Sequence, residues 1–88
     1  MNQEIFLLLA AESTHLVMKI EKILLDNNLV VRVIPLPTEL KATCGLSVKC
    51  NMEDLEIIKK LLKENEVQVD FYKGSKIGFK KEFELLTF

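Results

Sequence analysis

The residues able to do chemistry in this chain gather in one segment. Cys44 is followed at once by Gly45, and the pair closes a connection that begins Pro35-Leu36-Pro37. A thiol attacks only as its thiolate, which forms at neutral pH where a positive charge or a helix N-terminus lies beside it. Proline stiffens such a connection and glycine admits close approach of the backbone, so Pro35, Pro37 and Gly45 are candidates for shaping a binding loop around Cys44. The chemistry on offer is that of a single sulfur: nucleophilic attack, exchange or carriage of a bound group. No second polar group at a defined spacing accompanies it, which disfavours a stand-alone catalyst.

The same residues also have a plain structural reading. A free cysteine most often packs as a small hydrophobe, and two prolines can simply end a strand. Cys50 is the second thiol. With a strand between them, the backbones of the two cysteines stand about 20 Å apart at about 3.3 Å per residue, well beyond the roughly 7 Å that a disulfide allows. Cys50 therefore reads as core filler and Cys44 as a single-thiol site. Two cysteines and one histidine supply no four-ligand zinc set within one chain, so no metal site is expected.

Composition narrows the setting. The 88 residues, 49% of them hydrophobic, allow one small domain, and 12 basic against 13 acidic residues leave no excess for a nucleic-acid backbone. The longest apolar run, Ile5 to Ala11, falls far short of the roughly 20 residues that span a bilayer. Glu4 stands where a signal peptide would carry basic residues. The expectation is a cytoplasmic protein with no membrane and no nucleic-acid partner: a domain over residues 1–75, then a tail over 76–88 docked on the sheet or at a dimer interface.

The elements that must position the thiol follow from periodicity. Ile5 to Ala11 is continuously apolar and short, as in a strand buried on both faces. Ser13 or Thr14 caps a helix whose apolar stripe is Leu16, Val17, Ile20, Ile23 and Leu24, and Asn27-Asn28 ends it. Leu29 to Ile34 makes a second strand, which Pro35 and Pro37 stop. From Gly45 to Cys50 the side chains alternate as in a half-buried strand, with Cys44, Leu46, Val48 and Cys50 on one face and Gly45, Ser47 and Lys49 on the other. Asn51 caps a second helix carrying Leu55, Ile58, Leu61 and Leu62, and a fourth strand runs through Val67, Val69 and Phe71 until Lys73-Gly74-Ser75 breaks it. Phe79, Phe83 and Leu86 fit one side of a short terminal helix.

The order strand, helix, strand, strand, helix, strand predicts an α+β protein. Its form is a ferredoxin-like βαββαβ two-layer sandwich, with a four-stranded antiparallel sheet in the order 4-1-3-2 and both helices on one face. A βαβ unit with an appended hairpin is the competing arrangement. In the sandwich, strand 3 runs antiparallel beside strand 1, so Cys44 starts near the end of strand 1 and the N-terminus of the first helix. Ser13, Thr14 and His15 then become candidates for binding an anion or steadying a thiolate, helped by the helix amides. His15 also reads as an ordinary solvated residue. Strand 1 is apolar on both faces while the helices cover one, so something should cover the other.

Val33-Ile34-Pro35-Leu36-Pro37, followed by Cys44-Gly45-Leu46-Ser47-Val48, resembles the small bacterial selenium/sulfur carrier-like family. The likeness extends to the early strand, the Ser13-Thr14 helix start and Glu21-Lys22, and covers roughly residues 4–72. Where that family commonly has an arginine after the second proline, this chain has Thr38. The resemblance implies that Cys44 holds sulfur or selenium as a persulfide or selenosulfide, with donor and acceptor proteins as partners and no metal or organic cofactor. The alternative is a noncatalytic module that binds a small ligand or a protein and forms a homodimer through its sheet or tail.

Overall fold

The computed structural model describes residues 3–40 and 45–87. In chain order it has β1 (Gln3–Ala10), α1 (Thr14–Asp26), β2 (Val31–Pro35), β3 (Leu46–Cys50), a 3-10 turn (Met52–Asp54) leading into α2 (Leu55–Glu64), β4 (Asp70–Ile77) and β5 (Lys80–Leu86). The strands form one antiparallel sheet in the order β2-β3-β1-β4-β5. No helix among the described residues is long and apolar enough to cross a membrane.

The four-stranded ferredoxin-like βαββαβ sandwich is thereby corrected to a five-stranded antiparallel sheet with two helices. The error lies after residue 72. Lys73-Gly74-Ser75 does not end β4, because Gly74 lies under the Phe6 ring, where an added Cβ would come within 2.4 Å of ring carbons. The strand continues to Ile77, and Gly78, at φ +59°, supplies the positive φ that a tight two-residue hairpin connection needs at its first central position. Ile77 then pairs with Lys80, and β5 returns along β4. Phe83 and Leu86 do not share a helical side: strand parity sends Phe83 to Phe6, ring centroids 6.0 Å apart and edge to face, while Leu86 joins the helix-covered core.

Both helices lie on one face. Val17, Ile20 and Leu24 of α1 and Ile58 and Leu62 of α2 cluster with Leu7, Leu9 and Ala11, and with Val48 and Cys50 of β3. Each fully buried leucine or isoleucine of this cluster contributes about 1.5–3 kcal/mol by leaving water. The other side of β1, Phe6, Leu8 and Ala10, is also buried, with Leu8 at 0% exposure though no helix covers it. Side chains of the sheet itself do part of that covering. Phe83 packs on Phe6 from one side, and the Lys49 ammonium lies 4.8 Å from the Phe6 centroid while pairing with Glu4 at 3.3 Å.

The helix ends explain how the chain turns back to the sheet. Ser13, in extended conformation, caps α1 by accepting from the Leu16 amide at 3.1 Å. Both helices finish alike. Asn28 (φ 64°) and Glu66 (φ 56°) take the left-handed conformation, and the next amides, of Leu29 and Val67, donate back to the carbonyls of Leu24 (3.0 Å) and Leu62 (2.9 Å). Leu29 and Val67 then drop into the core. Asn51 makes no side-chain cap bond, and the chain enters α2 through the 3-10 turn instead.

Candidate functional site

The segment singled out by the sequence hangs from one end of the sheet. β2 and β3 are neighbours, and their ladder runs from Val31–Cys50 to Pro35–Leu46. Beyond it the Leu36 amide donates to the Gly45 carbonyl at 2.9 Å, so the connection is a hairpin loop between Leu36 and Gly45. Pro35 does not stop β2 but is its last residue, tolerated because β2 lies at the sheet edge. Pro37 opens a tight turn in which its carbonyl accepts from the Leu40 amide at 3.0 Å.

Cys44 lies outside the described residues. Gly45 is exposed, and nothing among the described residues comes within 4 Å of where its Cβ would be, so no close approach there demands a glycine. Of the helix-start candidates, the Ser13 hydroxyl oxygen is engaged by the Leu16 amide, Thr14 is the first residue of α1, and His15 is exposed in its first turn.

At this end of the sheet the elements enclose a cleft of about 280 Å³, lined by Ala10, Ala11 and Glu12 at the end of β1, Leu16 of α1, Leu36 and Leu40 of the loop, and Gln68, Val69, Asp70 and Tyr72 at the start of β4. Sequence reasoning placed the loop and the helix start together, and the cleft joins them. It is lined, however, by neighbours of the predicted residues: Glu12 and Leu16 on either side of Ser13 to His15, and Leu36 between the two prolines. Gln68, Asp70 and Tyr72 were missed. The available signal was topological, since the residues that begin a strand antiparallel to β1 must lie beside the residues that end β1.

The remaining thiol is chemically quiet. Cys50 is 4% exposed beneath the helices, and its Sγ is 4.0 Å from the Val48 carbonyl oxygen. Burial first, and then the negative charge of Asp54, push its pKa from 9.0 up to about 12. At neutral pH it is a protonated hydrophobe.

No curated protein and no solved structure matches the chain. The family described as "Putative Se/S carrier protein-like" matches residues 6–73, most of the chain's length. That span holds β1 from Phe6 onward, both helices, the proline-bearing hairpin with Cys44-Gly45, and β4 as far as Lys73, leaving the β5 hairpin outside. With the greater part of its length so matched, the chain belongs to the Se/S carrier-like family.

Proposed function

We propose that this protein carries sulfur or selenium on Cys44. What supports the reading is the family membership, with Cys44-Gly45 inside the matched residues, set against a second thiol that burial makes inert. In the proposed cycle the Cys44 thiolate attacks the outer sulfur of a donor persulfide. The donor's S–S bond breaks, the donor leaves as a thiolate, and Cys44 becomes a persulfide. An acceptor thiolate then attacks that outer sulfur and Cys44 departs as a thiolate, so the carrier is neither oxidised nor reduced over the cycle. Selenium is handled in the same way as a selenosulfide.

In this reading the Ser13 to His15 edge steadies the sulfur anion. The Ser13 oxygen that caps α1 still has its own O–H to donate. Pro35, Pro37 and Gly45 shape the loop. The partners are a donor and an acceptor protein, and the setting is the cytoplasm, where thiols stay reduced. A second reading, a noncatalytic module that pairs with another copy of itself, is favoured by β5. That strand has one free edge, and Leu85 stands 52% exposed on the face away from the helices.

The carrier reading is tested by incubating the protein with a small persulfide donor and weighing it intact, without reductant. One or more added sulfur atoms are expected on Cys44, retained in Cys50→Ser and lost in Cys44→Ser. Equal labelling of both thiols, or none, overturns it. Sedimentation of the wild type and Leu85→Glu tests the second reading, which requires a dimer that the substitution dissociates.

A further inference from the structure

We propose that the tip of the β4–β5 hairpin docks on an anionic membrane surface, with Phe79 entering the interface and the lysines around it meeting the headgroups. The proposal goes beyond carriage on Cys44 and does not depend on that thiol.

The tip is apolar where a turn has no need to be. Ile77 pairs with Lys80, so Gly78 and Phe79 alone make the connection. Gly78 supplies the positive φ, and a small polar residue beside it would complete such a turn. The second residue is instead Phe79, at 106% exposure, with Ile77 near it at 47%. Among the described residues the aromatic contact joins Phe6 and Phe83, so the Phe79 ring adds no packing to the fold. Apolar side chains scattered singly on a surface are ordinary. These two stand together at an apex that lies past the Gln3–Ile77 pair, where the β1–β4 ladder begins.

The charge around the apex has one sign. Residues 76–81 read Lys-Ile-Gly-Phe-Lys-Lys, three lysines with no acid, in a chain of net charge -1. Lys76 and Lys81 stand directly opposite each other across the β4–β5 ladder. Like charges so placed destabilise a strand pair, and an anion shared between them relieves the repulsion. Neither lysine belongs to an ion pair among the described residues, and Glu4, opposite Lys76 on β1, is engaged by Lys49 at 3.3 Å. Lys80 pairs with Glu82 at 3.3 Å, but both side chains are well exposed and such a pair is weak.

The placement of these charges fits a plane better than a pocket. Strand parity puts Lys76 and Lys81 on the face away from the helices and Lys80 on the helix side, with Leu86. Cations on both sides of a protruding apolar apex suit a layer of anionic headgroups over hydrocarbon, which meets the hairpin all round. Lys80 adjoins Phe79, and Lys81 and Lys76 follow within three residues. A ring sunk about 5–10 Å therefore leaves the ammonium groups at headgroup level. The contact lies on the bilayer and needs no spanning segment. One aromatic ring and three lysines make it reversible. The loop end of the sheet stays free, about 23 Å away along β4 at about 3.3 Å per residue.

The test is flotation of the full chain, under reductant, with phosphatidylcholine vesicles that contain or lack phosphatidylglycerol. Binding is expected only where phosphatidylglycerol is present, and it should fall as salt is added. Phe79, Lys76 and Lys81 are exposed, so their substitution leaves the core alone. Phe79→Ala should weaken binding about tenfold, and Lys76→Gln or Lys81→Gln about fivefold each. The chain has no tryptophan, so Phe79→Trp places a single indole whose emission should shift to the blue on these vesicles. No flotation with phosphatidylglycerol, equal flotation without it, or indifference to Phe79→Ala overturns the proposal. So does a blue shift with a water-soluble glutamate-rich peptide and none with vesicles, which assigns the tip to an acidic protein partner.

Discussion

Cys50 and Gly45 flank the two ends of β3, and their surroundings differ in kind. Cys50 lies opposite Leu7 of β1 and Val31 of β2 under both helices, almost without exposure. Past Leu46 the ladder closes with a single bond from Leu36 to Gly45, and the structure opens into a proline-bearing loop beside a cleft. One strand therefore joins a desolvated end to a hydrated one. Desolvation penalises a thiolate, so the same side chain is inert at the first end and free of that penalty wherever water reaches it. The comparison teaches that parity alone, which assigned Cys44, Leu46, Val48 and Cys50 to one face, does not tell which end of a strand is desolvated.

The comparison breaks most visibly under cavity-making substitutions. Leu7→Ala, at the closed end, is expected to cost about 3 kcal/mol in urea unfolding, whereas Leu40→Ala, on the half-exposed loop, should cost less than about 1 kcal/mol. Similar losses at both positions would show that the loop end is packed as tightly as the core.

A smaller effect concerns pH. Folding raises the Cys50 pKa from 9.0 to about 12, so between those values the folded chain keeps a proton that the unfolded chain has released. Stability from this group is complete below about pH 9 and falls as pH rises towards 12. From pH 8 to 10 the loss should be about 1 kcal/mol, read as the difference in pH slope between the wild type and Cys50→Ala. Equal slopes would mean that the thiol is not desolvated.

The smallest change sharpens the open end. Ser13→Ala removes the acceptor for the Leu16 amide, and a stability loss of about 1 kcal/mol is expected from chemical denaturation. Within the carrier reading it should also slow alkylation of Cys44 at neutral pH; an unchanged rate would confine Ser13 to capping.

What could be read from the residues was what depends on near neighbours. The Ser13 cap, the Val17-Ile20-Leu24 stripe and the left-handed Asn28 are all satisfied within a few residues of themselves. The alternation of β3 was legible only in part: Val48 and Cys50 enter the core, but Ser47 on the opposite face is buried as well. The terminal segment misled because Phe79, Phe83 and Leu86 fit a helical spacing, while the partners that make it a strand lie far away in the chain. Of the cleft, the loop and the helix start were legible as a shared location; the share of Gln68, Asp70 and Tyr72 was not, since the start of β4 reaches this end of the sheet only after β1 and β4 pair.

The sequence by itself determined the two helices, the doubly apolar β1 and a thiol in a proline-bearing loop that carries a family likeness. These are properties of local period, of capping and of short motifs. Only the tertiary structure decided that Gly74 is a seat for Phe6, that the tail is a fifth strand, and that the start of β4 joins the loop and the helix start around a cleft. The physical reason is that cross-strand contacts depend on register between distant segments, and register is set by the whole sheet as it packs.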